Sequence, residues 1–293
     1  MLASVAFTGC VDEVVIPNQS GESQKLVLYA RLCPQLDSTY ILLSNTQLLY
    51  SGHSGSMRIL DDGVVELSAD GSHWVRAHFD TTRNRYLLTR EEFPVEEGRT
   101  YHIRASHEGF AEVSASCTVP VTRDVGFRFD TVMVESDVHY DELCNWPHKD
   151  VYVEWRDVPG EQNAYALFQY RPHTYYTEDP ETGEWTSVSC GRQYYNPWLT
   201  EDNRAYQYVS DEGRDGQLMR YLLYYALYED YEDDEDEDVS YCLFFLDRNC
   251  YLYETTLTDD YEMVSMQLEP PHTFSNIGNG FGLFGAFSMR EVK

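Results

Sequence analysis

Basic residues are scarce in this chain. Against 50 Asp and Glu stand only 21 Lys and Arg, for a formal charge of −29 at pH 7. Nucleic acid and anionic lipid surfaces both require a basic footprint, so this balance excludes a nucleic-acid binder and a peripheral electrostatic hold on a membrane. No apolar run approaches the ~20 residues of a spanning helix. Cys-x-x-Cys is absent, which removes the usual zinc spacings. His-Glu-x-x-His and a phosphate-cradling loop are missing too. Ser51-Gly52-His53-Ser54-Gly55 approaches a nucleophile elbow, but the Gly-x-Ser-x-Gly order breaks at its last position. The nine histidines are scattered, and no pair of carboxylates stands out. The expectation is a non-catalytic protein without a cofactor.

What is present points to β-structure. Hydrophobic residues make up 42% of the 293, enough for cores and against global disorder. That length favours two domains over one. Tyrosine, at 24 residues, suits strands and wet interfaces. From residue 24 to Pro120, short alternating runs recur between turns such as Asp61-Asp62-Gly63, Asp70-Gly71 and Glu97-Gly98. This spacing predicts an all-β protein opening with an immunoglobulin-like antiparallel β-sandwich over 11–122, with Trp74 and Tyr101 filling its core. A second β-rich domain follows over 123–293. In it, Val151 to Trp155 stops at Asp157-Val158-Pro159-Gly160, and Tyr165 to Tyr170 is expected as its neighbour. Asp179 to Gly183 reads as a turn between two aromatic strands. Leu218 to Tyr228 and Val239 to Leu246 are expected to form a hairpin joined by the acidic tip 229–238. Asp247 is a candidate cap for one helix over about 248–261, because Cys250, Tyr253, Leu257 and Tyr261 share a face. The glycines near the end permit positive φ or close backbone approach before a last strand.

The first ten residues read as a lipoprotein signal. A short apolar run ends in Thr8-Gly9-Cys10, and polar, acidic sequence follows. Cys10 is the expected carrier of a thioether-linked diacylglycerol; the alternative is a buried cysteine in a first strand. No basic stretch precedes the run, which suggests a late start codon or an upstream truncation. The six remaining cysteines (33, 117, 144, 190, 242 and 250) are either disulfide partners or small buried hydrophobes.

Two stretches are candidates for binding. Tyr175, Tyr176, Trp185, Tyr194, Tyr195 and Trp198 stand among Asn, Gln, Arg and Thr, which suits stacking on a glycan or peptide; the bland alternative is that they pack inward. The tip 229–238 carries nine acids in ten residues. Asp233, Asp234, Asp236 and Asp238 are weak calcium candidates, lacking the glycine of a dedicated loop, and a solvated, self-repelling tip is the preferred reading.

Three motifs, in order, resemble one family. They are Gly98-Arg99-Thr100-Tyr101-His102-Ile103 with Thr118-Val119-Pro120, then Val153 to Tyr165 around Asp157-Val158-Pro159-Gly160, and Ser275-Asn276-Ile277 with Asn279 to Ala286. The family is the exported lipoproteins called domain of unknown function 4249. Ala164 departs from its pattern, where Tyr is usual, and so does the acidic tip. The resemblance carries no catalytic residue. It implies a lipoprotein anchored in the outer membrane, with a TonB-dependent receptor as partner. Asp12 and Glu13 resemble the acidic tag that sends such lipoproteins to the cell exterior. A non-catalytic accessory role in nutrient uptake is the expectation, with a structural or adhesive β-protein as alternative and a hydrolase behind it.

Overall fold

A computed structural model describes residues 24–46, 58–134, 148–178, 182–183, 185–202, 204–224, 240–264 and 273–292. The elements run β1 (Leu26–Leu32), β2 (Ser38–Asn45), β3 (Val64–Ser68), β4 (Val75–Arg76), β5 (His78–Asp80), β6 (Arg85–Thr89), β7 (Thr100–Ser106), β8 (Val113–Thr118) and β9 (Arg128–Val134). There follow β10 (His148–Arg156), β11 (Ala164–Glu178), β12 (Trp185–Tyr195), β13 (Trp198–Glu201), β14 (Arg204–Tyr206), β15 (Val209–Ser210), β16 (Leu218–Tyr224), β17 (Ser240–Leu246), α1 (Arg248–Val264) and β18 (Phe281–Val292). The protein is mainly β, with several sheets and, among the described residues, no closed barrel.

The first core lies between two sheets. β1, β2, β5 and β6 belong to the nine-stranded sheet, and β4-β3-β7-β8 form the second. Alternation explains the arrangement: in β1 and β7 every second residue is buried, so one face of each strand meets the core while the other is only partly covered. Tyr86 and Tyr101 are fully buried there. The Tyr86 hydroxyl donates to the Leu60 carbonyl at 2.8 Å. Trp74 is not in this core. It lies half-exposed under the Arg104 guanidinium, 4.2 Å from its ring centre. The run from His73 to Phe79 is divided between the sheets: β4 pairs with β3, while β5 pairs with β6 in the other sheet.

The second core packs the sheet β14-β13-β16-β10-β9 against β11, β17 and the end of β18. Trp155 is fully buried at its centre, 5.5 Å from the rings of both Tyr165 and Tyr221. Two expectations fail here. β11 is not the neighbour of β10: it pairs with β12, β15 and β17, so the Trp155 and Tyr165 rings meet edge-on from two different sheets. β16 and β17 are not a hairpin over their described lengths, since β16 pairs with β10 and β13, and β17 with β11 and β18. The acidic stretch 229–238 between them lies outside the described residues.

β17 and β18 show no alternation; five successive residues of β17 are buried. The reason is a cover on both faces. Leu243 and Phe245 enter the second core, while Phe244, Leu246 and Phe287 join Cys250 of α1 in a third. Asp247 caps that helix as expected, its Oδ1 accepting from the Cys250 N–H at 2.8 Å. The apolar face fades along α1: Cys250 is buried and Leu257 exposed. Cys33, Cys117 and Cys250 are buried free thiols, which settles those three as small hydrophobes.

β18 holds the molecule together. Its first half runs parallel to β1, pairing Gly282 with Leu28, and its second half runs antiparallel to β17. Gly282 sits at φ +115°, and a Cβ there would stand 2.1 Å from the Leu28 carbonyl oxygen. Only glycine fits. Asn276 serves this strand as a surrogate neighbour: its Oδ1 accepts from the Phe284 N–H at 2.9 Å and its Nδ2 donates to the Phe284 carbonyl at 2.7 Å. The closing glycine-rich motif is thus a steric and hydrogen-bonding device.

Candidate functional site

Two loops far apart in the chain meet beside the second core. The first, 157–163, carries the chain out of β10 and into β11. Pro159 fixes φ, and Gly160 at φ +81° takes a conformation other residues avoid, so the strand turns from one sheet toward the other. The second, 211–217, links β15 to β16 as successive turns, with the Arg214 N–H bonded to the Asp211 carbonyl at 2.7 Å.

Aspartates latch the loops together. Asp157 is buried; its Oδ1 accepts from the Tyr165 hydroxyl at 2.6 Å and its Oδ2 from the Gly216 N–H at 2.8 Å. Asp215 Oδ1 accepts from the Gly160 N–H at 2.7 Å, and Asp211 Oδ2 from the Asn163 N–H at 2.9 Å. Each carboxylate of the trio satisfies a backbone donor of the opposite loop, which explains the Asp-x-Pro-Gly motif in structural terms. Burial first, then the hydrogen bond to Asp157, holds the Tyr165 phenol far above its ordinary range, so it remains a donor. Burial also pushes the Asp211 carboxyl up, with the neighbouring Asp157 and Asp215 charges acting in the same direction. One oxygen from each of the three lies within 4.8 Å of the others. Hard oxygen donors at this separation are of the kind that suits a divalent cation such as Ca²⁺.

Next to this latch is a cavity of about 250 Å³, bounded by 162–164, 210–212 and the start of α1. Arg248 reaches over it, its Nη1 donating to the Gln162 side-chain oxygen at 3.4 Å. A second, wider groove of about 690 Å³ runs past Arg123, Arg128, Arg156 and Pro159.

The structure places two of the expected binding residues in view. Trp185 opens β12 and is 67% exposed; Trp198 opens β13 in another sheet and is 41% exposed. Leu199 between Trp198 and Thr200 is buried, so the indole points outward. Tyr175, Tyr176, Tyr194 and Tyr195 lie on the paired strands β11 and β12, and their side chains are outside the description. Cys10, Ser51 to Gly55 and Asp233, Asp234, Asp236 and Asp238 are outside the described residues as well. The aspartate latch escaped sequence reasoning. Asp157 announced a turn, but Asp211 and Asp215 looked like any Asp/Gly-rich loop, and nothing local joined the two.

Fold and site together define a multi-sheet β-protein with a single helix among the described residues and an aspartate latch between two loops, anchored on the buried Asp157. The chain belongs to the family described as Domain of unknown function (DUF4249), whose model matches residues 11–292. No curated protein matches it. Among solved structures, "Biofilm associated protein - B domain" is similar at a TM-score of 0.17 and 7% identity, over 91% of this chain and 85% of that one. A superposition that loose carries no argument about either fold or function.

Proposed function

We propose that this chain is a non-catalytic binding protein held at the outer membrane by lipid on Cys10, facing the cell exterior, and working beside a TonB-dependent transporter to capture or gate its cargo. The observation that carries the reading is the exposure of Trp185 and Trp198. Trp is among the most buried residue types on average, and rigid aromatic rings are common anchors of interfaces. The family resemblance and the Thr8-Gly9-Cys10 signal support the address, and Asp12 and Glu13 support the outward face.

Three measurements test it. Affinity capture from native membranes in mild detergent should recover a TonB-dependent barrel, and Trp185→Ala should reduce that recovery while shifting stability by less than about 0.5 kcal/mol. Cys10→Ala should release the protein from membranes. Protease added to intact cells should cleave it. Repeated capture without a barrel removes the partnership, and retention of the Cys10→Ala protein on membranes removes the anchor.

A further inference from the structure

We infer that the cavity between the aspartate latch and α1 binds a small zwitterion, an amino acid or short peptide with a free ammonium and a free carboxylate. Its charges come from two walls. Asp211 and Glu212 stand on the turn after β15, and Arg248 on the first turn of α1. Ala164, Leu246 and Leu252 supply an apolar lining between them.

Each wall lacks something that such a ligand brings. Asp211 is crowded by Asp157 and Asp215, so a positive group set against it relieves repulsion at short range. Arg248 has no carboxylate partner among the described residues; its one hydrogen bond is the 3.4 Å contact to Gln162. A guanidinium fork suits a carboxylate in two-point contact. A plain anion would have to approach against the field of a −29 chain, and a plain monocation would leave Arg248 unmatched. A divalent ion at the trio would have to share the Asp157 oxygens with the Tyr165 hydroxyl and the Gly216 N–H. The volume, about 250 Å³, falls just below the ~300–1,000 Å³ of drug-sized pockets, which limits the ligand to a few residues.

The inference goes beyond the membrane reading, and its test needs neither membrane nor transporter, so either can fail alone. The full-length protein is titrated calorimetrically with triglycine, N-acetyltriglycine, triglycine amide and CaCl₂. Triglycine is expected to bind. Acetylation of its amine, Asp211→Asn or Glu212→Gln should each weaken binding about tenfold. Arg248→Gln should weaken triglycine and leave the amide unaffected, in variants whose melting matches the parent. Equal binding of triglycine and its acetylated form overturns the inference. So does unchanged binding by Asp211→Asn and Arg248→Gln, or calcium binding without any triglycine binding.

Discussion

Asp247 offers the most quantitative test of the packing. It lies between β17 and α1, bonds its N–H to the Ala286 carbonyl at 2.9 Å and caps α1 through Oδ1. Its Oδ2 is buried and has no hydrogen-bond partner among the described residues. Burial raises the carboxyl from 3.8 to about 6, only partly opposed by the backbone N–H of Cys250. At about 1.4 kcal/mol per tenfold, keeping this group ionised at neutral pH costs roughly 3 kcal/mol of stability. The folded-state value lies above the unfolded one. Its contribution is therefore whole below about pH 4 and is lost as pH rises through about 6. Asn retains the capping oxygen and carries no charge. Asp247→Asn should thus exceed the parent by about 1–3 kcal/mol near pH 7 and match it near pH 4. Asp247→Ala should lose about 1 kcal/mol near pH 4, where only the cap is missing. Urea unfolding followed by tryptophan fluorescence at both pH values measures each difference. Should Asp247→Asn gain nothing near pH 7, or gain equally at both, the carboxylate is not held uncompensated and the reasoning fails.

Two further substitutions probe the family motifs. Gly282→Ala puts a Cβ against the Leu28 carbonyl at a positive φ and should cost at least about 3 kcal/mol, read as a lowered urea midpoint; a loss under about 0.5 kcal/mol would mean β1 and β18 are not so closely apposed. Asp157→Ala strands the Tyr165 hydroxyl and the Gly216 N–H, so about 2–4 kcal/mol should be lost, with Asp157→Asn losing less; a thermal melt like the parent's would show that the loops do not depend on this latch.

Local patterns carried the fold class. Period-two burial in β1 and β7 is visible as alternation, because one face of each strand is only partly covered. The helix after Asp247 was legible for a similar reason: a cap and a three-and-four spacing act within a few residues. The motif around Asp157 could be read as a turn, and the closing glycines as positions of tight approach, though not what they approached. Pairing was another matter. Nothing in Tyr165 to Tyr170 says that it abandons β10 for β17, since an alternating strand fits either sheet equally well. The break at Ala77, the split of β16 from β17, and the half-exposed Trp74 depend on which sheet each neighbour joined. The sequence alone thus determined how each segment would bury itself, through short-range sterics and periodicity. Only the tertiary structure decided which segments met: Gly282 against Leu28, and Asp157 with Asp211 and Asp215. Those contacts join residues whose separation along the chain leaves no local trace.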